Sequence, residues 1–159
     1  MKCSRLFIDF SRKIMLRIHS MLQLHAVQNG NNDNVFGDVS IICRKKLTIG
    51  DNCTLNHGCY INASNGISLG NDVTLSAGAC IVSTGIDYAK WAQGEKQHIP
   101  DGKIVIGNHV WIGVNATILL GVTIKGDYVV IAANAVVTHS IEESHCIYAG
   151  VPARKIKNI

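Results

Sequence analysis

The sequence predicts an all-β fold, a solenoid of short strands wound into stacked coils, and three observations predict it. Aliphatic residues return every six positions, as in Ile106, Ile112, Ile118 and Ile124. That spacing fits neither the alternation of a half-buried strand nor the period of about 3.6 residues of an amphipathic helix. The repeat also covers most of the chain, and self-similarity at a fixed period outranks local propensity. Finally, glycine or alanine often follows the aliphatic residue, as in Ile-Gly and Ile-Ala, which suits tight corners between short strands. A β-sandwich is the alternative, but it has no reason to hold one register over so many copies.

The first element is a helix. Phe7, Phe10, Ile14, Ile18 and Met21 recur at helical spacing, while Lys2, Arg5, Arg12, Lys13 and Arg17 stand against Asp9 alone. This segment carries the whole formal charge of +4. Residues 1–30 therefore read as a basic amphipathic helix followed by a polar breaker, QNGNNDN. Such a helix either covers the open end of the solenoid or a neighbouring subunit, or lies on an anionic membrane surface through residues 1–27. Residues 31–159 form the solenoid domain. Val35, Ile41 and Leu47 begin the repeat; Ile49, Leu55, Ile61 and Ile67 continue it, and Leu69, Leu75 and Ile81 follow in a register shifted by two. After Ile124 the next member, Ile131, comes after seven residues, as though one were inserted near Lys125 and Gly126. The repeat lapses over loop 83–103, which is polar and charged and holds His98. A long irregular insertion in a regular stack is the first place to look for function. Residues 138–159 form a C-terminal tail.

Composition agrees with one domain. Hydrophobic residues make up 47% and aromatics only 6%, which suits a slim interior of Ile, Val, Leu and Ala. No run is long and apolar enough to span a membrane. The six cysteines (Cys3, Cys43, Cys53, Cys59, Cys80 and Cys146) lack the paired spacing of a zinc site, and no signal peptide is evident. They read as reduced packing thiols of a cytoplasmic protein. No phosphate-binding glycine loop or nucleophilic-serine elbow is present, against kinases and ordinary hydrolases.

The segments IGNHVWIGVNATILLGVTI, VVIAANAVVT and AGVPARKI resemble the hexapeptide-repeat acyltransferases. The resemblance runs from about residue 35 to the C-terminus and is closest to the sugar and polysaccharide O-acetyltransferases of the galactoside and maltose type; serine acetyltransferases come next. It implies a left-handed parallel β-helix, a homotrimer with sites between adjacent prisms, and acetyl-CoA as acyl donor. It further implies a small-molecule or lipid-linked saccharide acceptor and neither metal nor nucleic acid. Localisation is expected to be cytoplasmic, with peripheral contact at the inner face of the membrane if the helix serves as an anchor.

A sugar hydroxyl needs a base near neutral pKa, and histidine suits that role. By resemblance His98, in the loop before IGNHVWIG, is the candidate catalytic base, and His57 in TLNHGCYI is the alternative. Many sugar acetyltransferases place their histidine early in the loop, where this chain reads STGIDY with Ile86 and Asp87. Asn56 matches the asparagine with which sugar acetyltransferases bind acceptor. Asp87 either orients an imidazole, binds a sugar hydroxyl or is an exposed loop carboxylate. Tyr88 and Trp91 either stack on a sugar or pantetheine or anchor the loop. Backbone around Gly113, Ala132 and Ala133 is expected to meet pantetheine, with Arg154, Lys155 and Lys157 near its phosphates or forming a solvated basic tail. His109 sits at a corner where polar residues are common, and His19, His25, His139 and His145 read as surface or packing residues. Two further readings stay open: serine acetyltransferase, and a β-helical scaffold without catalysis.

Overall fold

The computed structural model describes residues 2–159, with side chains from Ser11 onward. The side chains of Lys2, Arg5, Phe7, Asp9 and Phe10 therefore lie outside the described set. The chain is the left-handed parallel β-helix that the sequence predicts, preceded by α1 (Lys2–Gln23). Its first sheet stacks β1 (Asn34–Phe36), β4 (Thr54–Asn56), β7 (Thr74–Leu75), β10 (Trp111–Ile112), β13 (Val129–Ile131) and β15 (Cys146–Ala149), ending in antiparallel β16 (Arg154–Asn158). The second holds β2 (Ser40–Ile42), β5 (Tyr60–Asn62), β8 (Cys80–Val82), β11 (Thr117–Ile118) and β14 (Val136–Val137). The third holds β3 (Leu47–Ile49), β6 (Ile67–Leu69), β9 (Ile104–Ile106) and β12 (Thr123–Ile124). The three sheets are the faces of a prism, and every chain passage visits them in the same order.

The aliphatic repeat is the interior of this prism. Leu47, Leu55, Ile61, Ile67, Leu75, Ile81, Ile104, Ile112, Ile118, Ile124 and Ile131 are all fully buried. Parallel pairing stacks them in register, Leu55 on Leu75 and Ile61 on Ile81. The register shift has a simple cause. Strands of the third face bury two residues each, Leu47 with Ile49, Ile67 with Leu69 and Ile104 with Ile106, so the spacing lengthens each time the chain leaves that face. On the next coil the inward pair is Val122, just ahead of β12, and Ile124, and the seven-residue step to Ile131 reflects one extra residue, Lys125, before the corner Gly126, whereas Gly107 directly follows Ile106.

Corners are held by side chains as well as by the ladder. Between the third and first faces, the Asp51 Oδ1 accepts the Asn31 N–H at 2.7 Å, Asn71 accepts that of Asp51 at 2.8 Å and Asn108 that of Asn71 at 3.0 Å. The preceding column is glycine because coils touch there: a Cβ on Gly70 would fall 2.7 Å from the Gly107 oxygen. The next residue out adopts left-handed backbone in every coil, at Asn32, Asn52, Asp72, His109, Tyr128 and His145. Asn and Asp tolerate that conformation best. Where His and Tyr occupy it they form a ring stack, His109 on Tyr128 at 4.5 Å and Tyr128 on His145 at 4.9 Å, with His109 3.5 Å from Asp72.

At the N-terminal end α1 covers the first coil. Ser20 and Leu24 are buried, the Ser20 hydroxyl accepts the Val35 N–H at 2.9 Å, and Arg44 donates to the Gln23 carbonyl. Five cysteines are described, all as free thiols. Burial pushes the Cys53 thiol up to about 11 and those of Cys59 and Cys80 upward, so they behave as neutral packing groups.

Candidate active site

The candidate residues divide between two edges of the prism. One edge joins the first and second faces. Asn56 ends β4 on this edge, and its side-chain N–H donates to the Leu75 carbonyl at 2.9 Å, while its amide oxygen has no donor among the described residues. His57 follows, exposed, and packs over Gly37 so closely that a Cβ there would stand 2.8 Å from the His57 Cβ. Its ring has no hydrogen-bond partner among the described residues. Further along lie Gly113, Ala132 and Ala133. Gly113 is buried with its N–H given to the Ile131 carbonyl, and Ala132 gives its own to Tyr148. Ala133 differs: it is exposed, and neither its N–H nor its carbonyl is paired among the described residues. Of the three, Ala133 is the one with backbone groups to offer a ligand.

The sequence reading missed two neighbours of Asn56. Ser76 lies one coil along on the same face, and the Trp111 Nε1–H donates to its hydroxyl at 2.8 Å. Trp111 is 54% exposed, its indole tied by that bond beside Asn56's column. The available signal was the Trp in VWIG, an aromatic at an outward-facing position of a repeat that otherwise puts small residues there.

The loop occupies a different edge, between the second and third faces. Its base is stitched by Ser83, a buried hydroxyl that donates to the Asn62 carbonyl at 2.9 Å and accepts the Asn65 N–H at 3.0 Å. Beyond it Ile86 and His98 form an antiparallel bridge, flanked by Asp87 N–H to Gln97 carbonyl and Ile99 N–H to Gly85 carbonyl, each 2.9 Å. In such a pair the side chains project from the same face of the ribbon, so His98 stands beside Ile86 although twelve residues separate them. His98 is exposed and its ring has no partner among the described residues. Asp87 caps the short helix α2 (Tyr88–Trp91), its Oδ1 accepting the N–H groups of Ala89 and Lys90 at 3.1 Å each. Tyr88 is 79% and Trp91 64% exposed, so neither ring is packed against its own subunit.

At the C-terminus, the Arg154 guanidinium donates to the neighbouring Ala153 carbonyl at 3.0 Å, while Lys155 pairs with Glu143, a hydrogen bond that raises the lysine's pKa. A cleft of about 520 Å³ lies elsewhere, between α1 and the first coil, lined by Arg17, Met21, His25 and Asp33 among others. None of the candidate residues lines it. No cluster of three or more His, Cys, Asp or Glu suited to a metal ion occurs among the described residues.

Residues 46–83 and 103–139 match the family model described as hexapeptide repeat of succinyl-transferase. The chain is also 35% identical to a galactoside O-acetyltransferase of Escherichia coli over 115 residues, 71% of this chain and 54% of that enzyme. The chain belongs to the hexapeptide-repeat acyltransferase family. Solved structures agree. A hexapeptide-repeat acetyltransferase of Vibrio cholerae complexed with acetyl coenzyme A superposes with a TM-score of 0.76 at 27% identity, over 87% of this chain and 75% of that one. A galactoside acetyltransferase in complex with coenzyme A gives 0.72 at 30% identity, over 83% and 64%. The chain spans about half the length of the curated relatives it matches.

Proposed function

We propose that the chain is an acetyl-CoA-dependent O-acetyltransferase that acts as a homotrimer on a hydroxyl of a saccharide, in particular a surface-polysaccharide precursor. One observation carries the reading: the exposed candidates fall on two edges of one prism, and each set is incomplete alone. Asn56, Trp111 and Ala133 have no base beside them other than His57, and His98, Tyr88 and Trp91 face away from any acceptor or donor contact. A neighbouring copy that laid its loop against the first edge joins the two sets, and cyclic symmetry repeats that contact. The acetyl-CoA and coenzyme A complexes of the two solved relatives support the donor, and the galactoside O-acetyltransferase supports a sugar hydroxyl as acceptor.

Acetyl-CoA supplies the activated acetyl group. His98 accepts the acceptor's hydroxyl proton as that oxygen bonds to the thioester carbon. It returns the proton to sulfur as the carbon–sulfur bond breaks, so charge and protons balance. The Asn56 amide, anchored through Leu75, presents its oxygen to an acceptor hydroxyl. Tyr88 and Trp91 offer ring faces to the sugar or pantetheine, positioned by the Asp87 cap. The unpaired N–H and carbonyl of Ala133 match the amides of pantetheine. Arg154 reaches the phosphates, and Lys155 joins it by leaving Glu143.

The test is coenzyme A affinity followed by an acceptor screen that includes L-serine. His98→Ala should lower turnover by roughly 100-fold while coenzyme A affinity and assembly stay unchanged. Abolished activity in His57→Ala beside a fast His98→Ala moves the base to the corner. A second reading, an inactive scaffold, draws on Ile86 in the early-loop position and on the unpartnered His98 ring; failure to bind coenzyme A selects it.

A further inference from the structure

Helix α1 has its faces reversed for a helix that merely caps a domain. Ser20 and Leu24 face the first coil and are 4% exposed each, and Leu16, one turn before Ser20, is half-buried on the same side. The opposite side, which faces away from the protein, is apolar rather than polar. It carries Ile14, Met15, Ile18 and Leu22, exposed by 44% to 70%, with Met21 at its margin beside the cleft against the first coil. These positions recur at three- and four-residue spacing, so they form one continuous strip. Arg12 and Arg17 lie at its two margins with Lys13 between the margins on the protein side, and no Asp or Glu occurs from Ser11 to Val27. The remainder of the chain balances its charges, so the basic excess is confined to this end of the prism.

We propose that this outward strip is a docking surface for an anionic lipid bilayer, with α1 lying in the plane of the interface and the β-helix standing away from it. The helix is too polar to cross a membrane, and no described helix is long and apolar enough to do so. An in-plane helix with an apolar strip and basic margins instead buries its strip at the headgroup boundary and pairs its cations with lipid phosphates. A second copy meeting this strip with its own strip is the poorer occupant, since that two-fold contact sets the arginine margins of both copies against each other. The packing on the first coil, through Ser20 to Val35 and Arg44 to Gln23, fixes the rotation of the helix. The strip is therefore held outward before any membrane is met.

The experiment is flotation of the full chain with phosphatidylcholine vesicles, with and without phosphatidylglycerol. Wild type should float with the anionic vesicles only, and added salt should weaken the binding. Ile18→Asp should reduce partitioning about tenfold or more, and Arg12→Glu, at an exposed position with no partner among the described residues, should reduce it independently. Both variants should keep the wild-type melting temperature, because neither side chain faces the coil. The idea is overturned by wild type that stays unbound, by Ile18→Asp and Arg12→Glu that bind like wild type, or by Ile18→Asp that dissociates the assembly in light scattering, which makes the strip a contact between copies. The assay contains neither acyl donor nor acceptor, so its outcome is separate from that of the transferase reading.

Discussion

If each site takes its loop from one copy and its edge from the next, two inactive variants should repair one another. His98→Ala removes the loop base, and Asn56→Ala removes the acceptor contact on the edge. In a cyclic trimer a site works only when its loop comes from an Asn56→Ala chain and its edge from a His98→Ala chain. Random assembly from equal amounts restores about a quarter of all sites, since each condition holds half the time. Trimers that contain both chains always have one working site in three, so purified mixed species should show about a third of wild-type activity. Neither substitution threatens the fold. His98 is exposed and unbonded, and Asn56→Ala loses one hydrogen bond to the Leu75 carbonyl, about 1 kcal/mol, beside a Leu55–Leu75 stack that stays buried. The assay is co-expression of differently tagged chains, two-step purification and detection of free coenzyme A thiol. The His98→Ala parent should retain about 1% of wild-type turnover, and mixed trimers should exceed both parents. Mixed trimers no more active than their parents refute the shared site.

Two more predictions follow from packing. Gly102 closes the loop, and a Cβ there would stand 2.1 Å from the Ser83 carbonyl oxygen. Gly102→Ala should cost about 1–3 kcal/mol and several degrees of melting temperature, and should slow turnover by displacing His98; an unchanged melting temperature contradicts this. Alkaline stability tests the buried thiols. Burial raises Cys53 from its ordinary 9.0 to about 11, so the folded chain holds that proton more tightly than the unfolded chain. Its contribution is complete below about pH 9 and is lost as pH rises from 9 to 11. Cys59 and Cys80 shift in the same direction, so Cys53→Ala should remove part of the fall in stability between pH 8 and 11 in urea unfolding. An unaltered slope rules Cys53 out as a contributor.

The fold was legible because one physical demand repeats. A narrow interior accepts one large aliphatic per face per coil, and the sequence records that demand as a period of six. What the period did not disclose was that the third face takes two inward residues per strand in the early coils. Ile67 and Leu69 read as a change of register when they are neighbours on one β6 strand. The candidate site was legible as separate stretches of sequence but not as an arrangement in space. The lapse of the repeat marks the loop, and NHG after Leu55 marks the corner, but sequence order does not say which edge of a prism a corner occupies. Asp87 read as an imidazole or sugar contact or as an exposed loop carboxylate, and its Oδ1 holds the first turn of α2, a local use that spacing alone cannot separate from a functional one. Gly113 and Ala132 were visible as small residues expected near pantetheine; only the coil-to-coil bonds reveal that their N–H groups are committed, while that of Ala133 has no partner among the described residues. These gaps share a cause. In a solenoid each residue's immediate neighbours lie one coil away, about twenty positions along in the early coils, so the partners that decide a residue's role are never beside it in the sequence. A prism this slim also has no interior left over for a pocket, because Leu55, Leu75 and Ile112 fill it coil by coil. Catalysis on such a scaffold has to be assembled outside the core, and in the shared site proposed above the exposed rings of Tyr88, Trp91 and Trp111 are the surfaces that a second copy would cover.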